Sequence, residues 1–256
     1  MTAALAPDAH LLGAAQPLSV WDVPAPVLAL VPHADDETLG CGGLLAGLYA
    51  AGQAVDVLLV TDGTQSHPHA TSHDADARRD VREEELRKAI TALGGEPARV
   101  LFWRKPDTQV PSVESPFGKT AVTELLGYLQ QGQYRTVLTP YRHDPHGDHQ
   151  ATTALLDLAA LQLGADVRVL QYLVWLGHQD PTARWPTLAE VDVYRYDVNE
   201  DARRRKAEAL ACHRSQLGEV FAGEGGFTIP DALAATVHRP YELYLVDRPV
   251  LPKAAV

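Results

Sequence analysis

The stretch VLALVPHADDETLGCGGLLAGLYAAG, residues 27–52, decides the fold. Its first five residues, Val27 to Val31, are all apolar, the pattern of a strand buried on both faces. A histidine and three acids follow at once: His33, Asp35, Asp36 and Glu37. From Leu39 the chain reads as a helix that ends near Gly52. A strand running straight into a helix opens a βαβ unit, and ligands of open α/β sheets sit beyond the carboxyl ends of the strands. Ionisable groups packed there are costly unless something binds them. The glycines Gly40, Gly42 and Gly43 invite comparison with a dinucleotide loop, but that loop should follow the strand directly, and here acids intervene that would repel a phosphate. Close packing of helix on sheet is the better reading of these glycines.

The alternation continues outward. Strands are expected at Val55 to Thr61, Arg99 to Trp103, Thr136 to Pro140 and Val167 to Trp175, with helices over 76–95, 120–132 and 149–164 between them. Strands alternating with helices at this spacing imply right-handed βαβ units. The predicted fold class is α/β: a Rossmann-like, doubly wound, mostly parallel sheet with helices on both faces. Residues 191–198, VDVYRYDV, alternate polar and apolar and read as an edge or antiparallel strand. Residues 200–216 read as a helix and Tyr241 to Val246 as a last strand. The 256 residues fit one domain, with an N-terminal extension over 1–24, a core over about 25–217 and a C-terminal strand region over 218–256.

The formal net charge of −11 disfavours nucleic acid and anionic membrane surfaces. No uninterrupted apolar run is long enough to span a bilayer, and the N-terminus lacks a basic signal-peptide region. Two distant cysteines, Cys41 and Cys212, suggest no disulfide framework. The expected location is the cytoplasm, and a homo-oligomer is compatible with all of this.

The chemistry lies in two clusters. HADD places His33 and Asp36 at i and i+3 after the first strand; HGDH places His146 and His149 at the same spacing after the fourth. Both fall on one rim of the sheet. Imidazole nitrogens and carboxylate oxygens suit zinc, and three protein ligands with an open position make a catalytic site. Such an ion activates water and polarises a carbonyl, while a nearby carboxylate takes a proton and an imidazole stabilises an oxyanion. Metal-assisted amide hydrolysis is the implied reaction class. Spacing alone leaves open which histidine of HGDH is the ligand.

These motifs resemble those of the zinc-dependent N-acetylglucosamine deacetylases, the PIG-L or LmbE-like family. PHADDE resembles its first signature and DPHGDH its second. TDG at 61–63, REEELRKAITALG at 82–94, KPDTQ at 105–109 and KAEALACHRSQ at 206–216 follow in the family's order. The resemblance implies one Zn²⁺ on His33, Asp36 and His149, with Asp35 as general base. It implies that His146 stabilises the oxyanion and serves as acid, oriented by Asp148. Arg82, Asp107 and His213 match positions that line or contact the substrate. A small N-acetylated sugar conjugate is the implied substrate. Ala34 and Gly147 replace two prolines of the family pattern, which loosens the loops without removing a functional group.

Blander readings exist for several of these residues. The first cluster also suits a solvated helix N-terminus, and Asp148 suits an N-cap. Arg82 could pair with acids on a helix face, and Asp107 could serve a turn. His67, His69 and His73 read as a solvated loop rather than a second metal site. The rival functions are a metallohydrolase of another amide or an ester, and a non-catalytic nucleotide- or metal-binding protein.

Overall fold

A computed structural model describes residues 8–164, 166–178, 183–221 and 226–249. Its centre is an eight-stranded sheet. The strands are β1 (Gln16–Leu18), β2 (Val27–Val31), β3 (Val55–Thr61), β4 (Val100–Lys105), β5 (Thr136–Pro140), β6 (Arg168–Tyr172), β7 (Val191–Asp197) and β8 (Tyr241–Asp247). They lie in the order β1-β7-β8-β6-β5-β2-β3-β4. Only β8 runs antiparallel to its neighbours, β6 and β7. The helices are α1 (Ala9–Ala14), α2 (Asp36–Ala50), α3 (Ala75–Leu93), α4 (Gly118–Gly132), α5 (Gly147–Leu163), α6 (Glu200–Leu210) and α7 (Asp231–Ala234).

The apolar run of β2 divides between two cores. Val27, Ala29 and Val31 enter one cluster with Leu44 and Leu45 of α2, Leu86 and Ile90 of α3, and Ala209 of α6. Leu28 and Leu30 enter the other with Leu125 of α4 and Leu155 of α5. Alternate side chains of one strand point to opposite faces, so a continuous apolar run is what a sheet covered on both faces requires. After β4 the chain returns to the far side of β2 and pairs it with β5. The crevice between the ends of β2 and β5 is therefore a topological switch point, the usual ligand position.

The glycines of α2 permit close packing, as the sequence suggests. A Cβ on Gly40 would lie 2.2 Å from the Tyr172 ring, and one on Gly43 would lie 2.6 Å from Val198. A buried ion pair also enters the ladder of α2. Glu242 accepts the Gly43 and Leu44 amides at 2.7 and 2.8 Å, while Lys206 donates to it at 2.6 Å and to the Leu39 carbonyl at 3.2 Å.

Three expectations are corrected. Within the segment read as an N-terminal extension, β1 is an edge strand of the sheet, so β7, read as an edge or antiparallel strand, is not an edge but does pair antiparallel with β8. The strand expected to reach Trp175 ends at Tyr172, because Asp144 draws the Trp175 amide away at 3.0 Å. The helix expected over 200–216 ends at Leu210. Glu85 captures both the amide and the hydroxyl of Ser215, at 2.8 and 2.6 Å, and bends residues 213–216 into turns.

Candidate active site

Strand β2 delivers His33 to the rim, and α2 begins three residues later with Asp36. Between them Asp35 has φ 145°, a conformation that a side-chain-bearing residue adopts only when its surroundings enforce it. The peptide is held from both sides: the Asp35 carbonyl accepts the Thr38 and Leu39 amides at 3.0 and 2.9 Å, and one Glu37 carboxylate oxygen accepts the Asp35 amide at 3.0 Å. The other lies 2.7 Å from His213 Nε2 and accepts the Thr38 hydroxyl. Glu37 and His213 are both fully buried.

His33, Asp36 and His149 converge. Asp36 Oδ2 lies 3.2 Å from His33 Nδ1 and 3.1 Å from His149 Nε2. Both match the edge of a tetrahedron with bonds of 2.0–2.1 Å, about 3.3 Å. Although His149 has no solvent exposure, neither of its ring nitrogens makes an aligned hydrogen bond. Each imidazole is backed on its outer side by a carboxylate, His33 Nε2 by Asp148 at 3.1 Å and His149 Nδ1 by Asp144 at 3.2 Å. A carboxylate behind each ring fixes which nitrogen faces inward, the arrangement that supports metal-binding histidines. Electrostatics agree. Burial works against a charged His149, yet Asp36 and Asp144 outweigh it and raise the ring to about 9. Asp36 is buried too, but the two histidines hold it well below the usual carboxylate range. A pocket that favours positive charge on its imidazoles favours a cation among them. Among the described residues His33, His146 and His149 bring nitrogen atoms within 4.8 Å of one another, and with the Asp36 oxygen between His33 and His149 this cluster could hold a divalent ion.

His33 and Asp36 border a cavity of about 150 Å³, walled also by Asp35, Arg82, Asp107, His146, Trp175, Gln216 and Phe227, with His149 buried behind Asp36. Burial raises Asp35 to about 7 against the opposing Arg82 guanidinium, whose Nη2 lies 3.6 Å away. Arg82 also donates to the Ala34 carbonyl at 2.8 Å. It passes close beneath Gly63, where φ is +64° and a Cβ would lie 2.8 Å from Arg82 Cδ. The Asp107 carboxylate is tied back: Oδ2 accepts the Gln65 amide at 2.8 Å, and Oδ1 faces His33 Nε2 at 3.4 Å. His146 caps α5, its Nδ1 accepting the Asp148 amide at 3.2 Å. That leaves the proton on Nε2. Burial, His33 and His149 hold this ring neutral, with its pKa lowered to about 4.

Eight of the nine site residues read from the sequence lie on or directly behind this cavity. Two roles change. Asp148 does not orient His146 through its carboxylate, which backs His33 and accepts the Thr108 and Val110 amides at 2.8 and 3.1 Å; the α5 cap is His146, not Asp148. His213 does not line the cavity, because Glu37 holds its ring in the core; Gln216, three residues on, takes the wall position. The sequence reading missed Glu37, Asp144, Gln216, Trp175 and Phe227. Glu37 and Asp144 lie inside the two signatures, so their proximity to the ligands was a usable signal. Trp175 and Phe227 had none. Among the described residues, His67, His69 and His73 join no candidate metal group; His67 packs instead against Phe221 and Gly226.

A family model described as PIG-L, GlcNAc-PI de-N-acetylase, matches residues 28–160, more than half the chain and both signatures. The chain belongs to the PIG-L family. Its membership agrees with the expectation of a hydrolytic N-deacetylase. Solved structures share the fold. N,N'-diacetylchitobiose deacetylase from Pyrococcus horikoshii is 22% identical, with a TM-score of 0.58 over 81% of this chain and 72% of that one. An antimicrobial pseudoaglycone deacetylase is 21% identical, with a TM-score of 0.64 over 89% and 98%. The 4-carboxy-2-hydroxymuconate hydratase of Pseudomonas putida is 17% identical, with a TM-score of 0.60 over 90% and 98%. A comparison with curated protein sequences finds no match. No helix among the described residues is long and apolar enough to cross a membrane.

Proposed function

We propose that this PIG-L family member is a Zn²⁺-dependent N-deacetylase acting on a small N-acetylglucosamine-type conjugate. The observation that carries the reading is that Asp36 Oδ2 meets both His33 Nδ1 and His149 Nε2, with His33, Asp36 and the Asp35 carboxylate on the wall of one cavity. His33, Asp36 and His149 would hold the ion, and their nitrogen and oxygen donors suit zinc. Zinc bound there supplies Lewis acidity toward water and the amide carbonyl. His149 is preferred to His146 as the ligand, since His149 is fully buried and backed by Asp144, whereas His146 Nδ1 is occupied by an amide.

Asp35 takes the proton of the attacking water. A carboxylate raised to about 7 is matched to proton transfer at neutral pH. His146 offers Nε2–H to the developing oxyanion as a neutral donor. Arg82 and Asp107 wall the cavity where sugar hydroxyls would lie, and Arg82 steadies Asp35 through their 3.6 Å contact. The products are acetate and a free amino sugar, the Asp35 proton passing to the leaving amine.

The deciding experiment is metal analysis of purified protein, followed by an acetate-release screen over N-acetylglucosamine conjugates with matched O-acetyl compounds. One zinc per chain and acetate from an N-acetyl sugar support the reading. Turnover of esters alone assigns the rival metallohydrolase, and zinc without any turnover assigns a binding protein. We also place the protein in the cytoplasm, on the ground that Cys41 and Cys212 are both free; fractionation that finds it in an oxidising compartment would contradict this.

A further inference from the structure

Gln216 carries a recognition role that the two signatures do not supply. It sits in the cavity wall with no solvent exposure. Its backbone is fixed at both ends: its N–H donates to the His213 carbonyl at 3.0 Å, and its C=O accepts the Ile229 amide at 2.8 Å. The side-chain amide is fixed by a relay. Glu85 accepts the Ser215 amide at 2.8 Å on one oxygen and the Ser215 hydroxyl at 2.6 Å on the other. The second distance is that of a charge-assisted O–H···O⁻ bond. A carboxylate can only accept, so the hydroxyl proton is committed to Glu85. Ser215 Oγ is therefore an acceptor toward Gln216, and the amide atom 2.9 Å from it must be the NH₂ nitrogen. The orientation is forced: a flipped amide would set two lone pairs against each other. Gln216 Oε1 is left as a buried acceptor with no partner in the protein. On the same cavity Arg82 Nε is a buried donor without a partner. Isolated buried polar atoms are costly and seldom left unmet.

We propose that Gln216 Oε1 accepts a hydrogen bond from a substrate donor beside the scissile bond, held in its acceptor orientation by the Glu85–Ser215 relay. The donor is either the acetamide N–H or a ring hydroxyl. This rests on the deacetylase reading and adds to it a specificity-determining residue: a substrate without that donor leaves Oε1 unpaired, which binding sites of this kind reject strongly.

The test measures acetate release from the methyl glycoside of N-acetylglucosamine, its N-methylacetamide analogue, and its 3-deoxy, 4-deoxy and 6-deoxy analogues. Wild-type protein should lose about 10- to 100-fold in kcat/KM on one analogue, the cost of one unpaired buried acceptor, which identifies the donor. Gln216→Met, nearly isosteric, should lose a similar factor on the parent and nothing further on that analogue, with zinc content and Tm unchanged. Ser215→Ala, which frees the amide to turn, should lose less than Gln216→Met. Equal rates for wild type and Gln216→Met overturn the proposal while leaving the deacetylase reading standing. The analogue series on wild type decides the matter even if Gln216→Met does not fold: less than a twofold loss on every analogue also overturns the proposal. Acetate from none of the probes overturns the deacetylase reading and this proposal with it.

Discussion

Replacing Glu37 with alanine should cost the protein both stability and turnover, because that carboxylate accepts the amide of the strained Asp35 backbone. Glu37 accepts the Asp35 amide at 3.0 Å and meets His213 Nε2 at 2.7 Å, with both partners buried. Glu37→Ala orphans three buried donors, the Asp35 amide, the Thr38 hydroxyl and His213 Nε2, at about 1–3 kcal/mol each. Relief of the buried carboxylate's own desolvation offsets part of this, and His213 escapes part by losing its proton. Breaking one side of a buried charged pair typically costs about 3–5 kcal/mol, and that is the expected loss in urea unfolding of the metal-free protein. A second signature lies in pH. Burial works against a charged His213, but Glu37 outweighs it and raises the ring above its ordinary value. A raised histidine contributes stability that is fully present below its unfolded value, about 6.5, and fades as pH rises through the folded value. His213 should therefore contribute a loss of stability as pH rises above about 6.5, in addition to that from His149, and Glu37→Ala should lose the His213 share of the slope. Turnover should fall on the order of 10- to 100-fold with zinc still bound, as a displaced base would cause. A loss below about 1 kcal/mol with an unchanged pH slope would refute the reasoning, and Glu37→Gln, which keeps one acceptor oxygen, should fall between wild type and alanine.

Other outcomes follow from the same geometry. Asp35→Asn should keep zinc, seen by metal analysis, while kcat falls on the order of 10²- to 10⁴-fold. Asp144→Asn should weaken zinc about 10- to 100-fold in calorimetric titration, because Asp144 backs His149 at 3.2 Å. Gly40→Ala should destabilise by about 1–3 kcal/mol in thermal unfolding, since its Cβ would meet the Tyr172 ring at 2.2 Å. That ring cannot yield easily, because its hydroxyl is anchored to the Leu30 carbonyl at 2.8 Å.

Most of the architecture was legible because the apolar runs were unusually plain. The uninterrupted VLALV implied a sheet covered on both faces, and two clusters following two strands implied one shared rim. What escaped was set by single long-range contacts. Nothing local predicts that Asp144 captures the Trp175 amide and ends β6 early, or that Glu85 captures Ser215 and ends α6 at Leu210. The site divides in the same way. That His33, Asp36 and His149 would lie together could be read from topology and resemblance, because two His/Asp clusters follow two strands of one rim. The partner of each carboxylate could not. Asp148 backs His33, not His146, and His213 serves Glu37 in the core, 176 residues away in sequence. Trp175 and Phe227 reach the cavity from loops without a motif, so only the fold reveals them.

The most direct measurement is calorimetric titration of metal-free protein with Zn²⁺, alongside Asp36→Ala. Asp36 is the oxygen shared between both histidines, at 3.2 and 3.1 Å. Wild type should bind one ion per chain with release of protons from His33 and His149, and Asp36→Ala should lose that tight site while remaining folded. One tight equivalent retained in Asp36→Ala, or none in wild type, would contradict the proposed centre.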